Sequence, residues 1–398
     1  MFKRSNRMFK KGVVFGLGLA TIVGVVFYSV VVVLVDDSSQ GTGSITVDQQ
    51  GTIHTANGVL PIAQSLSSEV KVAMREQLNT GFVSFFVDCD PVGDWTDPRF
   101  LLALRQCVVE AKNYPEIVSN LHEIYPDVLV ERTIINGIEV DIATPKDGVS
   151  DRNRDRVLLY LHESSAVVDH PDMRKLEAIP MASLGKIKVI GVDYRMMPEG
   201  THLDALADVT VVYSEILKAY RSENIGLFGC SQGAIINASM IPWLDRQGLP
   251  GPGALSFSGE TGNREMTDSD YVNIAFGLHG LFPPIVQPIE PDEIFKRGLP
   301  YYDGVDPNDP VTQPTLHPDA MALFPPTILL NAIRDSPSRA ARDHRALLRN
   351  GVESELHIWE GLPHCFQNIF PRVPESQEHF EQILKFFDKH LGIFPLKH

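Results

Sequence analysis

Cysteine is scarce in this sequence, four in 398 residues, and that excludes a fold built on a disulfide scaffold. Cys89 and Cys107 both lie in the N-terminal region and are able to pair in an oxidising compartment. The plainest expectation is four buried thiols, because free cysteine favours the interior. No cluster of cysteine and histidine has the spacing of a zinc site, so no metal is inferred. Positive charge is in deficit: 35 Lys and Arg stand against 50 Asp and Glu, a net charge of −15. An acidic surface of that size disfavours nucleic acid as a partner. Internal repeats are absent. The hydrophobic content of 43% is ordinary for a globular chain, and the length suits either two domains or one large α/β sheet.

Charge is missing altogether from residues 12–35. A run of about 24 residues makes a helix about 36 Å long, enough to cross a hydrocarbon core of about 30 Å. It follows a basic arm, MFKRSNRMFKK, and ends at Asp36 and Asp37. A cleaved signal peptide is the competing reading. Its apolar region runs to only about 7–15 residues before a small-residue cleavage site; here the run is longer and closes on VVVVLVDD. The expectation is an uncleaved, single-pass membrane anchor. The basic arm stays in the cytoplasm and the rest of the chain lies on the non-cytoplasmic side.

After the anchor, residues 36–60 are rich in Ser, Gly, Thr, Gln and Asp and read as a flexible linker. Residues 61–127 read as helical, with Ser67 or Ser68 as a cap for SSEVKVAMREQL. Phe82, Phe85 and Phe86 in this region either line a pocket or pack its core. From residue 128 the pattern changes. VLVERTIINGIEVDIATP predicts two strands joined at Asn136-Gly137. Short apolar runs at 157–161, 187–192, 225–228, 254–257, 327–332 and 355–359 alternate with helical stretches. Alternation of that kind predicts a largely parallel sheet covered on both faces. Phe380, Ile383, Leu384 and Phe387 give the last helix one apolar side.

The segment IGLFGCSQGAIINASM holds a G-x-S-x-G at Gly229-Cys230-Ser231-Gln232-Gly233. It stands after a predicted strand and before a predicted helix, the setting a nucleophile elbow requires. Asn237-Ala238-Ser239 is formally a glycosylation triplet, but it falls on the helix behind the elbow and is expected to be buried.

Around this motif the sequence resembles the hormone-sensitive-lipase-like carboxylesterases, a branch of the α/β-hydrolase fold. VIGVDYRMMPEG, with Asp193, Tyr194, Arg195, Pro198 and Glu199, is similar to the family's V-D-Y-R-L-A-P-E block. The elbow takes the place of its G-D-S-A-G-G. YYDGVDPNDPVTQP, FPPTILLNAIRD and GVESELHIWEGLPHCF follow in the family's order. The resemblance covers roughly residues 125–391, with a helical segment in the place of the family's cap. Together the residue patterns and the resemblance divide the chain into a basic arm at 1–11, a transmembrane anchor at 12–35, a linker at 36–60, a helical cap region at 61–127 and a catalytic domain at 128–398.

A nucleophilic serine needs a base to take its proton and a carboxylate to orient the base. In α/β hydrolases the order along the chain is serine, acid, histidine. Asp335 follows the strand at 327–332 and His364 follows that at 355–359, at carboxyl ends where open α/β sheets place their sites. The resemblance assigns the same two positions. Asp343 is the alternative acid, His357 is expected to be a packed strand residue, and His162 to be structural. The family's H-G-G-G loop is replaced by His162-Glu163-Ser164-Ser165. Backbone N–H groups survive such a change, so those of Ser164, Ser165 and Gln232 are the candidate oxyanion hole. A non-glycine residue in the left-handed region costs about 1–2 kcal/mol, and Glu163 threatens to place a negative charge beside a developing oxyanion. Cys230 stands where the family has Asp, and Cys365 where it has Gly.

These readings point to an esterase acting through Ser231, and the resemblance implies a small-molecule ester as substrate (short to medium acyl chains, small esters or lactones) and no cofactor. Two alternatives stay open. One is a membrane-anchored binding protein that kept the fold and lost efficient catalysis; the other is an amidase or thioesterase using the same triad.

Overall fold

Four apolar runs are buried at every position: Val157–Leu161, Ile225–Cys230, Ala254–Ser258 and Thr327–Ala332. A strand buried on every side chain has both faces covered, as in the middle of a parallel sheet. The computed structural model describes residues 46–392 apart from 48–51, 56–57, 80–88, 90–93, 95, 111–112, 169, 263–264, 266, 276–299 and 307. Its strands in chain order are β1 Thr46–Val47, β2 Ile53–Thr55, β3 Gly58–Leu60, β4 Val128–Ile135, β5 Ile138–Pro145, β6 Val157–Leu161, β7 Lys188–Val192, β8 Ile225–Cys230, β9 Ala254–Ser258, β10 Thr327–Ala332 and β11 Ser354–Trp359. Its α-helices are α1 Ser68–Asn79, α2 Pro98–Glu110, α3 Asn113–Ile124, α4 Ala178–Gly185, α5 His202–Ile216, α6 Gln232–Arg246, α7 Asp268–Ala275, α8 Pro318–Met321, α9 Pro337–Arg349, α10 Phe366–Ile369 and α11 Pro374–His390.

The main sheet has eight strands in the order β11-β10-β9-β8-β6-β7-β5-β4. From β11 to β7 all neighbours are parallel, and only the pairings of β5 with β7 and with β4 are antiparallel. The expected parallel sheet is therefore present. The hairpin at its edge closes through Asn136 at φ 46° and Gly137 at φ 94°; two successive left-handed residues are what the tight turn of a twisted hairpin needs. Helices α4 and α11 pack on one another, and α11 reaches β9 and β10. Phe380, Ile383, Phe386 and Phe387 of α11 are buried, each stabilising the fold by roughly 1.5–3 kcal/mol. Helices α5 and α6 form a second pair, with α6 against β6, β8 and β9. Asn237 lies inside that packing and is fully buried.

The N-terminal region supports the far end of the chain. The Ser67 hydroxyl accepts from the Val70 N–H at 3.1 Å and caps α1, as the sequence suggested. The same hydroxyl donates to Glu375 at 2.8 Å, tying α1 to the start of α11. Leu66, Val70 and Met74 form a small core with Leu362, Phe366, Phe370 and Val373. That core lies directly beside residue 364.

Two expectations are corrected here. The stretch 36–60 is not a structureless linker throughout, because β1, β2 and β3 pair antiparallel within it, Thr46 opposite His54 and Ile53 opposite Leu60. Short segments with β-branched residues find ladder partners there, although the average composition is polar. Nor are the cysteines thiols: Cys89 is bonded to Cys107 with their Cα atoms 5.9 Å apart. Burial alone does not distinguish a thiol from half of a disulfide. The apolar run at 12–35 and Phe82, Phe85 and Phe86 lie outside the described residues. Among the described residues no helix is long and apolar enough to cross a membrane.

Candidate active site

Ser231 sits between β8 and α6 with φ 55° and ψ −123°, a conformation that L side chains rarely adopt. Its flanking glycines are there for space. A Cβ on Gly229 would stand 2.1 Å from the Leu161 carbonyl oxygen, and one on Gly233 1.8 Å from the same atom. Only glycine on both sides lets the elbow turn this tightly against β6. Ser231 N–H donates to the Ser258 carbonyl at 2.9 Å. Cys230 and Gln232 are buried, while Ser231 between them keeps partial exposure. Gln232 opens α6, so its N–H belongs to the first turn, which has no acceptor within the helix.

Asp335 follows β10 and His364 follows β11. His364 Nδ1 lies 2.8 Å from Asp335 Oδ1, and both side chains are 1% exposed. A carboxylate only accepts, so Nδ1 carries the proton and Nε2 is left as the basic nitrogen. Burial opposes the imidazolium, but the Asp335 charge and hydrogen bond, with help from Glu260, outweigh it and hold His364 above its ordinary value. Asp335 is fixed in turn: its backbone carbonyl accepts from Asn273, and Ser336 Oγ, 3.4 Å from Oδ1, donates to Gly259 O at 2.7 Å. Behind the pair, buried Arg339 is held by Glu260 and, at 3.0 Å, by Asp270.

The serine is linked to this pair in two ways. Ser258, which accepts from Ser231, precedes Gly259, and Gly259 lies against His364 and Asp335. Cys230 and Cys365, immediate neighbours of Ser231 and His364, are bonded with their Cα atoms 6.2 Å apart. Among the described residues no cysteine is free, so the expected thiols are replaced here as well.

The HESS stretch leaves β6 and turns back with Ser165 at φ 48° and Ala166 at φ 61°. Left-handed geometry thus persists without glycine. Ser164 helps to hold it: its hydroxyl accepts from Ala166 N–H at 3.1 Å, and its carbonyl from Val167 and Val168 at 3.0 and 2.8 Å. His162 is buried, stacked on Tyr194 with ring centroids 4.7 Å apart, and the Tyr194 hydroxyl donates to the His162 carbonyl. That is a structural role, as expected. Glu163 is buried as well. Burial first, then the neighbouring Glu177, push the Glu163 carboxyl far above its ordinary range, which works against the charge anticipated there. It is hydrogen-bonded to Asn368, which also donates to Glu177 at 3.0 Å. Gln367 donates to Glu177 at 2.8 Å. Burial raises Glu177 to about 7 against the pull of those two amides.

The remaining candidates have other partners. Asp343 is buried on α9 and accepts from Thr315 at 2.8 Å. His357 stays in its strand, stacked on Trp359. The Cys230–Cys365 bond, the Glu163–Asn368–Glu177 cluster and Gly259 were not found from sequence, except that both cysteines flank candidate residues.

A parallel α/β sheet with a serine elbow and a buried Asp–His pair at its strand ends defines the α/β-hydrolase class. The match to the alpha/beta hydrolase fold family runs over residues 158–368, more than half of the chain, and the protein belongs to that family. It is similar to the carboxylesterase/phospholipase LipF of Mycobacterium tuberculosis, 26% identical over 239 residues, 58% of this chain and 61% of that protein. The chain therefore matches about three fifths of that relative's length. Among solved structures it is similar to the esterase E25, with 26% identity, a TM-score of 0.67, and coverage of 83% of this chain and 97% of that one. An esterase from the bacterial hormone-sensitive lipase family shares the fold at 21% identity and a TM-score of 0.57, covering 71% of this chain and 99% of that one.

Proposed function

We propose that the protein hydrolyses carboxylic esters through an acyl-enzyme on Ser231. The observation that carries this reading is the buried 2.8 Å contact between His364 and Asp335 beside a strained serine elbow. In the first half-reaction His364 Nε2 takes the Ser231 hydroxyl proton while Oγ attacks the acyl carbon. The carbonyl electron pair moves onto oxygen, and the N–H groups of Ser164, Ser165 and Gln232 stabilise that charge. On collapse the bond to the alcohol breaks, and the proton returns from His364 to the leaving oxygen. Water, deprotonated by the same nitrogen, then attacks the acyl-enzyme and releases the acid. Asp335 keeps the imidazole in the working tautomer throughout.

Esterases among the relatives and structural neighbours support this reading, as does the burial that disfavours a charge on Glu163 at the loop. Short to medium acyl chains, small esters and lactones are the substrate class. The uncharged run at 12–35 is read as a single-pass anchor that leaves the hydrolase on the non-cytoplasmic side. Extraction of membranes with alkaline carbonate tests it, since a peripheral protein is released and an anchored one is retained.

A second reading, a binding protein that lost catalysis, is motivated by HESS in place of H-G-G-G. Full-length protein assayed on p-nitrophenyl acetate and butyrate, beside Ser231→Ala, separates the two. Turnover lost in the variant supports the esterase. A folded wild type without turnover that also resists a fluorophosphonate supports the binding protein.

A further inference from the structure

Three segments meet behind Ser231: the HESS stretch, the elbow, and residues 364–368 that carry the histidine. The third is fastened to each of the others. Cys365 is covalently joined to Cys230 across 135 positions of sequence. Asn368 is hydrogen-bonded to Glu163 and to Glu177. The two sulfurs and a Glu163 carboxyl oxygen all lie within 4.8 Å of one another. All of these side chains are buried, Cys230 and Glu177 completely.

We propose that the Cys230–Cys365 disulfide is a positioning element of the acyl-transfer site: it fixes Ser231 relative to His364, and opening it slows the chemical step rather than substrate binding. The inference deepens the esterase reading and rests on it. A disulfide confines its two Cα atoms to a narrow range of separation and direction. Here those atoms belong to the residues adjoining the nucleophile and the base, so the constraint reaches the reacting atoms through one peptide unit on each side. Neither end is relaxed on its own. Ser231 holds φ 55°, and Cys365 is a non-glycine residue at φ 46° and ψ 41°. Strained backbone of this kind persists only where its surroundings over-determine it. The bond supplies part of that determination, and Glu163 packed against it carries the constraint to the HESS stretch. Cys89–Cys107 closes a short loop of the N-terminal region, 18 positions long, and serves as the internal control.

The test compares full-length wild type, Cys230→Ala/Cys365→Ala and Cys89→Ala/Cys107→Ala on p-nitrophenyl butyrate. Each rate is divided by the concentration of sites titrated with a fluorophosphonate, so that a smaller folded fraction does not imitate a catalytic effect. Loss of alignment of about 1 Å between reacting groups costs on the order of 10²-fold. The expected result is a kcat lower by about 10- to 100-fold in the Cys230→Ala/Cys365→Ala protein, with KM held, and an unchanged kcat in the control pair. Should the double variant fail to fold, Cys89→Ala/Cys107→Ala protein is treated with a dithiol instead. The reductant's two thiols become its own disulfide, the Cys230–Cys365 bond breaks, and each cysteine leaves with a proton. Mass spectrometry of alkylated peptides reports the opened bond, and kcat is expected to fall by the same factor. An unchanged kcat per titrated site with the bond open, or a rise in KM alone, overturns the inference while leaving the esterase standing. Oxidised wild type without turnover or labelling overturns the esterase reading, and the inference with it.

Discussion

A Cβ placed on Gly259 would stand 2.9 Å from Cε1 of His364, closer than real side chains approach. The same atom would lie 3.1 Å from Nδ1 and 3.2 Å from Asp335 Oδ2. Gly259 also holds φ 72°, where a side chain is strained regardless of space. This glycine therefore forms the wall against which the Asp–His pair is set. Its carbonyl accepts from Asn331 and Ser336 at 2.8 and 2.7 Å, so the wall does not yield easily. Gly259→Ala is expected to lower kcat on the order of 10²-fold by displacing the imidazole. Steady-state kinetics beside a thermal melt checks it; wild-type kcat would show that the histidine tolerates displacement.

The Asp335 carboxylate both orients His364 and raises its affinity for a proton. A general base works in its neutral form, so kcat/KM rises as pH passes upward through the His364 value. In wild type that midpoint is expected above the ordinary 6.5. Asp335→Asn removes the charge but leaves the burial that opposes protonation. The acid limb of the profile should move to lower pH, and kcat should fall by roughly 10⁴-fold as the tautomer is lost. A pH profile of the variant with an unmoved midpoint would contradict the assignment of Asp335.

Strain at the elbow is measurable separately from chemistry. Ser231→Gly removes the side chain that makes φ 55° costly. The variant should be inactive yet more stable than wild type by about 1 kcal/mol in urea unfolding. A destabilised variant would mean that the serine side chain contributes more packing than its backbone costs.

Buried Glu177 links stability to pH. Its ordinary value is 4.5 and the folded chain raises it to about 7. Between those values the folded state binds more protons than the unfolded one, so stability falls as pH rises across that window and levels off above it. Glu177→Gln keeps the oxygen that accepts from Gln367 and Asn368 and cannot ionise. Its Tm should match wild type near pH 4.5 and exceed it at pH 8. Thermal melts across that range decide the matter, and a lower Tm at pH 8 would contradict a buried neutral acid.

How much of this was readable in advance follows the distance over which each feature is encoded. The hairpin at Asn136-Gly137, the buried strands and the elbow at Gly229–Gly233 are set by near neighbours in sequence: turn chemistry, apolar periodicity, a strand followed by a helix. Asp335 and His364 were reached through strand ends and the family's order, and the structure brings them into contact. The Cys230–Cys365 bond and the Glu163–Asn368 contact join positions 135 and 205 apart. No local pattern announces such pairings. The pull on Glu163 away from its charged form comes from burial and from Glu177, neither visible from HESS. The polar average over 36–60 concealed β1 to β3, whose pairing depends on single β-branched positions.

In the proposed mechanism Ser231 carries the acyl group. Full-length protein mixed with p-nitrophenyl acetate, quenched in acid within the first turnover and digested, exposes the intermediate to mass spectrometry. One acetyl increment is expected on the peptide containing Ser231, absent from Ser231→Ala. Turnover with no acyl adduct, or an adduct on another residue, would contradict it.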